Sequence, residues 1–198
     1  MTSMGHEWDR QIVARLKARD AEAFDEVYAA LHGRIFSFLA RLSRRRDIAE
    51  DLAEETWLRL VAHAPRLRDD TRLGAWLFTV ARNLYVSYCR SRLLDYDARA
   101  GLHLWPERQV DATPFELASA SELQRQVESA LATLPGPYRE ALLLVAFEGL
   151  TPAEAADVCG VSAETMRQRL SRARAMLARR LDPSSDALTV PILKEVLP

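Results

Sequence analysis

The sequence predicts an all-α protein: two small helical domains joined by a flexible linker, the C-terminal one built around a helix-turn-helix. Three observations predict it. Apolar residues recur at three- and four-residue steps through most of the chain, the period of an amphipathic helix. Alternating β-branched runs and Asn-Gly or Asp-Gly hairpin turns are absent. Residues 95–118 break the helical period with Gly101, Pro106 and Pro114, so they read as a linker between two periodic halves. The expected divisions are residues 1–94, a linker at 95–118, a domain at 119–181 and an apolar tail at 182–198.

The N-terminal half opens with a short helix near Asp9–Ala18. Asp20 then caps a long helix. Its expected core stripe is Phe24, Val27, Tyr28, Leu31, Ile35, Phe38, Leu39 and Leu42. A helix near Asp47–Ala64 follows, with Ile48, Leu52, Leu60 and Val61 expected to face inward. Asp47, Glu50, Asp51 and Glu54 form a carboxylate stripe on it, with Glu55 alongside. Such a stripe fits a solvated face, a metal or acid/base site, or a docking face for a basic surface. His63 lies at the far end and no second acidic helix faces the stripe, which disfavours the metal site. Neighbouring acids repel and cost helix stability, which favours docking.

Pro65 ends that helix. After the polar loop Arg66–Thr71, a third long helix is expected near Arg72–Leu93, with Leu73, Trp76, Leu77, Val80, Leu84 and Tyr88 inward. Its other faces mix Phe78, Arg82, Asn83, Tyr85, Arg90 and Arg92. Two interpretations fit. Basic groups interleaved with rings and an amide suit single-stranded nucleic acid, where Arg meets phosphate, rings stack on bases and Asn bonds a base edge. Alternatively, Phe78 and Tyr85 are further core residues of a helix buried on two sides.

In the C-terminal half, Ser119 and Glu122 form a capping box ahead of an amphipathic helix carrying Leu123, Val127, Leu131 and Leu134. Pro135-Gly136-Pro137 stops it. Tyr138 to Glu148 is apolar nearly all round and should lie at the centre of a four-helix unit. Thr151, Pro152 and Glu154 then mark a helix start. Gly160 marks its end, where a sharp turn is expected and a Cβ is expected to clash. Ser162 caps the next helix, and Met166, Leu170, Ala173 and Leu177 recur along one stripe of it.

The other faces of this last helix carry Arg167, Arg169, Arg172, Arg174, Arg179 and Arg180. Residues 101–166 hold three Arg against ten acids, whereas residues 167–180 hold six Arg and no acid. This fits a helix-turn-helix whose second helix enters a DNA major groove; the competing interpretation is a helical hairpin with a solvated Arg-rich face. The abrupt change of sign favours a surface for a polyanion.

Formal net charge over the 198 residues is −1. Unaided, indiscriminate DNA binding draws on phosphate neutralisation and a strongly basic chain. DNA binding here therefore calls for a partner. Only Lys17 and Lys194 are lysine among 27 basic residues. Arginine suits bidentate contacts to phosphate and guanine, although a GC-rich genome also produces this bias. Cys89 and Cys159 lie far apart and form no metal-type pair, as expected of small buried or half-buried residues in a reducing cytoplasm. No signal peptide or membrane span is evident. A soluble, cytoplasmic protein without cofactor, metal or catalytic residues is expected.

The order of these features resembles the extracytoplasmic-function (ECF) sigma factors of bacterial RNA polymerase, over about residues 20–94 and 119–181. DIAEDLAEETWLRLV from Asp47 is similar to the family's polymerase-binding helix. LGAWLFTVARNLYVSYCR from Leu73 resembles its promoter-melting helix. LPGPYREALLLVAFEGLTPAEAADVCGVSAETMRQRLSRARAML resembles its C-terminal helix-turn-helix domain.

The resemblance implies binding to core RNA polymerase through Asp51, Glu54 and Glu55. It implies contact with the downstream (minus-ten) promoter element through Arg82, Asn83, Tyr85 and Arg90, with Trp76 mainly packing. It implies that Arg167, Gln168, Ser171 and Arg172 read the upstream (minus-thirty-five) element, since Arg can pair bidentately with guanine and Gln with adenine. An anti-sigma factor is a candidate partner, because many family members are held by one. The tail after Pro183 goes beyond the minimal family pattern, and residues 187–198 are expected to fold back on a domain or bind a regulator. A stand-alone helix-turn-helix repressor would need a dimerising helix and a ligand domain. An acid-cluster metalloenzyme would need a second ligand set. The sequence supplies neither.

Overall fold

The structure, a computed structural model, describes residues 2–97 and 122–181. The linker residues 98–118, the Ser119 cap and the tail 182–198 lie outside the described residues. All elements among those described are helical, and the chain divides into two compact units.

In the N-terminal half of the chain, α1 (Thr2–Lys17), α2 (Ala21–Ser43), α3 (Arg46–His63) and α4 (Leu73–Asp97) follow one another, with a 3-10 turn at Ala64–Arg66 carrying Pro65; one unit takes these helices except residues 40–46. α1 starts earlier than its apolar pattern predicts. α4 runs on to Asp97, past the point where the linker is expected to begin. The core takes Ile12, Val13 and Leu16 from α1, and Ala23, Val27, Leu31, Ile35, Phe38 and Leu39 from α2. Phe38 and Phe78 meet edge to face at 5.4 Å, a favoured aromatic geometry. On α2 the expected stripe holds except at its start: Tyr28 is 39% exposed and Phe24 half-buried, while Ala23 takes the inner position.

The α1–α2 corner is built from two residues. Arg19 adopts φ 61°, and its N–H donates to Leu16 O while Asp20 N donates to Arg15 O, a Schellman closure of α1. Asp20 Oδ1 then accepts from Glu22 N at 2.9 Å, capping α2. Arg15 Nε donates to Asp20 Oδ2 at 2.7 Å and Arg15 Nη1 to Glu26 Oε2 at 2.9 Å. Asp9 Oδ1 accepts from Leu73 N at 3.2 Å, so α1 supplies a partner for one of the orphan donors at the start of α4.

The C-terminal unit holds four helices: α5 (Glu122–Ala132), α6 (Gly136–Leu142, continued by a π-helical turn at Leu143–Phe147), α7 (Pro152–Cys159) and α8 (Ala163–Leu181). As its all-round apolar pattern predicts, α6 is central, with Ala141, Leu142, Leu143 and Leu144 all buried. The π turn brings Glu148 N onto Leu143 O at 3.0 Å, five residues back. Arg139 closes the end of α5: its Nε donates to Leu131 O, and its Nη2 to Ala132 O and Leu134 O at 3.0 and 2.7 Å. The last carbonyls of α5, Leu131 O and Ala132 O, lie beyond its i-to-i−4 ladder, and a cation there also suits the helix dipole.

The α7–α8 turn forms as its signals predict. Thr151 and Glu154 make a reciprocal capping box. Gly160 takes φ 63°, with Val161 N on Ala156 O and Gly160 N on Asp157 O. One expectation is corrected. A Cβ at Gly160 would meet no atom within 4 Å, so the glycine is required by its left-handed backbone and not by crowding. Ser162 Oγ accepts from Thr165 N at 3.1 Å and starts α8.

Gly160→Ala should therefore lower stability by about 1 kcal/mol, the ordinary cost of a Cβ in left-handed backbone. Arg19→Gly should act in the opposite direction, by about 0.5 kcal/mol after the entropy of the unfolded chain is counted. Urea midpoints at unchanged slope will show both.

Asp20 gives a pH prediction. The hydrogen bond from Arg15, ahead of the backbone donors, holds its carboxyl below the usual carboxylate value. A depressed folded value means that the stabilisation is complete above the ordinary value and is lost as pH falls through the depressed one. Wild type should therefore melt higher than Asp20→Asn at neutral pH, and the two melting curves should converge in acid.

Candidate functional site

The arginine-rich face of α8 follows from what α8 buries. Met166, Leu170, Ala173 and Leu177, the expected stripe, are all buried. With that face fixed inward, Arg167, Gln168, Ser171, Arg172 and Arg174 are exposed and Arg169 half-exposed. All four residues expected to read the upstream element thus share one solvent-facing surface. Glu164 stands at its N-terminal edge. Its Oε2 accepts from Arg167 Nε at 3.2 Å and Nη2 at 2.7 Å, and its Oε1 accepts from Gln168 Nε2 at 3.2 Å. The bond from Arg167, then that from Gln168, holds the Glu164 carboxyl below its usual value. An acid in the first turn and Arg179 and Arg180 in the last suit the helix dipole.

A surface of opposite sign lies on α3. Asp47, Glu50, Asp51 and Glu54 are exposed, and half-buried Glu55 accepts from Arg59 Nε at 2.7 Å. The buried side of α3 is Ala49, Ala53, Thr56, Trp57 and Leu60. This corrects the expected inward set. Leu60 is buried, but Ile48 and Leu52 are only half-buried and Val61 is 59% exposed. Val61 joins Leu58, 57% exposed, in prolonging the Asp51–Glu54 side of the helix at three- and four-residue steps. An acidic stripe running into two exposed aliphatic side chains is a surface with both charge and apolar area to offer a partner. Sequence reasoning missed Leu58 and Trp57. The signal lay in Ala49 and Ala53, small residues whose period leads to Trp57. Trp57 packs against the Tyr28 ring at 4.9 Å and the Phe24 ring at 6.0 Å.

On α4 the buried set is Leu73, Leu77, Phe78, Ala81, Tyr85 and Cys89. The expected stripe is rotated: Leu73 and Leu77 hold, whereas Trp76, Val80, Leu84 and Tyr88 are half-buried. Of the two interpretations of Phe78 and Tyr85, core packing is the one observed. Tyr85 is 8% exposed, so it is withdrawn from the expected promoter-contacting set: a ring buried to that degree offers a base little surface to stack on. Burial also pushes the Cys89 thiol up, against a hydrogen bond with Tyr85. Asn83 and Arg90 are exposed. Arg82 is half-buried, with Nη1 3.4 Å from Asn83 Oδ1. Trp76 lies 6.2 Å from the His63 ring, consistent with packing. Cys89 and Cys159 are both free and buried. Among the described residues no group of three or more His, Cys, Asp or Glu could hold a metal, and no helix is long and apolar enough to cross a membrane.

A helical unit with an exposed acidic face is followed by a helix-turn-helix unit with an arginine-rich face, and both units match the two-part sigma-70 class of transcription factors. The family model for Sigma-70 region 2 matches residues 27–93 and that for Sigma-70, region 4 matches residues 124–177. The chain is 33% identical over 154 residues to ECF RNA polymerase sigma factor EcfG of Rhodopseudomonas palustris, covering 78% of this chain and 82% of the relative. It is 35% identical over 182 residues to ECF RNA polymerase sigma factor SigC of Mycobacterium tuberculosis, covering 89% and 90%. Among solved structures it is similar to the sigma factor RpoE in complex with the anti-sigma factor NepR from Bartonella quintana, at TM-score 0.69 and 28% identity over 83% of this chain and 100% of that one. It is also similar to CnrH in complex with the cytosolic domain of CnrY, at TM-score 0.68 and 25% identity over 90% and 99%. The chain belongs to the extracytoplasmic-function family of RNA polymerase sigma factors.

The two sides of α4 should separate by mutation. Tyr85→Ala should cost about 3 kcal/mol through the cavity it leaves. Asn83→Ala, on the exposed side, should stay within about 0.5 kcal/mol of wild type. Chemical denaturation of the two variants checks this directly.

Proposed function

We propose that this sigma factor directs promoter-specific initiation through three separate surfaces. The acidic face of α3 docks core RNA polymerase, with Asp51 and Glu54 making the charged contacts, Glu55 beside them, and Leu58 and Val61 adding apolar area. Arg82, Asn83 and Arg90 of α4 engage the downstream element, supported from behind by the buried Phe78 and Tyr85. Arg167, Gln168, Ser171 and Arg172 of α8 read the upstream element in the major groove. The corresponding divisions are residues 1–94 for docking and melting, 95–118 as linker, 119–181 for the upstream element, and 182–198 as a tail for regulation.

The observation that supports this most is the segregation of charge. Two separately folded surfaces of opposite sign are exposed in a chain whose formal net charge is −1. Such a chain gains little affinity from phosphate neutralisation alone. Fixing two weak readers at one spacing on polymerase raises the effective concentration of the second contact. The chain thus acts as a binding module with no catalytic residues of its own, in the cytoplasm where polymerase works. The complexes of RpoE with NepR and of CnrH with CnrY make an anti-sigma factor a candidate partner here as well.

Pull-down of core polymerase tests the docking face. Asp51→Arg/Glu54→Arg should weaken binding at least tenfold with helicity unchanged, because like charges would then face a basic partner. Leu58→Ser/Val61→Ser should weaken it more mildly without loss of thermal stability. Arg172→Ala should leave polymerase binding intact and reduce transcription from promoters that depend on the upstream element. Undiminished binding by the charge-reversed protein would refute the docking assignment.

A further inference from the structure

Glu164 sits where an acid is a liability. A surface that approaches DNA phosphates gains from positive charge and loses from negative charge. The ion pair it makes with Arg167 is exposed on both sides, and such pairs contribute little to stability. What the carboxylate does is fix orientation, in two side chains at once.

Arg167 presents its side edge to Glu164: Nε and Nη2 both donate to Oε2, at 3.2 and 2.7 Å. A guanidinium has five N–H donors in a rigid plane. With the side edge occupied, the end edge formed by the outer N–H groups of Nη1 and Nη2 is left to donate, and that pair matches guanine O6 and N7. Gln168 is oriented by the same acid. An ionised carboxylate only accepts, so it is the amide nitrogen that must face Glu164 Oε1, at 3.2 Å. The Gln168 carbonyl oxygen is thereby turned away, as an acceptor. In the major groove an acceptor suits the amino group of adenine N6 or cytosine N4.

We propose that Glu164 is a positioning residue that sets the base preference of α8, holding Arg167 end-on toward guanine and turning the Gln168 oxygen toward a base with an exocyclic amino group. This rests on α8 being the reader of the upstream element. The acid lowers affinity for DNA in general and raises discrimination between sequences.

The test is transcription by core polymerase with the full-length chain, on a promoter library randomised across the upstream element and read by sequencing the transcripts. Base ratios within one library are insensitive to how much active protein each variant yields. Wild type should favour guanine at one position and adenine or cytosine at a neighbouring one, each by about tenfold or more, the scale of a good bidentate contact. Glu164→Ala should flatten both preferences to within about threefold while raising binding to random DNA.

Glu164→Gln gives an independent readout. Its oxygen can still accept from Arg167, but its amide nitrogen would donate to Gln168 and turn that amide over. The guanine preference should persist and the second should move from amino-bearing bases toward guanine or thymine. Arg167→Ala should lose the guanine preference alone. If Glu164→Ala keeps the wild-type ratios while Arg167→Ala loses guanine, Glu164 serves only the helix start and the proposal is wrong. If Arg167→Ala also leaves every ratio unchanged, α8 is not the reader, and the proposal goes with the assignment it rests on.

Discussion

Burial of one stripe on α8 is the constraint from which the DNA-facing surface follows. Met166, Leu170, Ala173 and Leu177 are almost completely removed from water. Turning the helix by even one residue position would drive a guanidinium into the core, at a desolvation cost far above what a single surface contact returns. The stripe therefore fixes the rotation of α8, and the rotation fixes which arginines and which amide face outward. The α7–α8 turn fixes the helix's starting point, through the Thr151–Glu154 box, the left-handed Gly160 and the Ser162 cap. Together they act as a mount that sets where the exposed side chains of α8 leave the helix.

The same reasoning organises α3 and α4, with different chemistry. α3 buries Ala49, Ala53 and Trp57 and so turns its carboxylates outward. Their mutual repulsion is tolerated because the helix is held from its other side by Trp57 and Leu60. α4 buries an aromatic face and leaves Asn83 and Arg90 in solvent. Each surface assigned to a partner is thus the complement of a well-packed stripe.

The C-terminal unit was the more legible in the sequence because its signals are local. A capping box, a glycine after a helix and a four-three-four stripe each constrain the structure within a few residues. α4 was less legible. Its two candidate stripes both step by three and four, and both contain aromatics, so periodicity alone does not choose between Trp76–Val80–Tyr88 and Phe78–Tyr85–Cys89. α3 misled through size: alanines carry its burial, while Val61, more hydrophobic, stands in solvent. The sharp turn at Gly160 is legible in the sequence, but its cause is the left-handed backbone and not crowding, which the open space around it excludes. The π turn at Leu143–Phe147 has no sequence signature, since the apolar run fits either helical register. Polymerase and promoter were not legible in physical terms alone; they came from the family resemblance, which the two sigma-70 regions and the sigma-factor relatives bear out.

The central claim is that this chain reads promoter DNA as part of polymerase and not by itself. Footprinting on a responsive promoter with the full-length chain, alone and with core polymerase, tests it most directly. Protection of both the upstream and downstream elements, with unpaired bases at the downstream one, should appear only when polymerase is present. A footprint of equal strength from the chain alone would contradict the account, because it would mean that neither the docking face nor the balanced charge limits DNA binding.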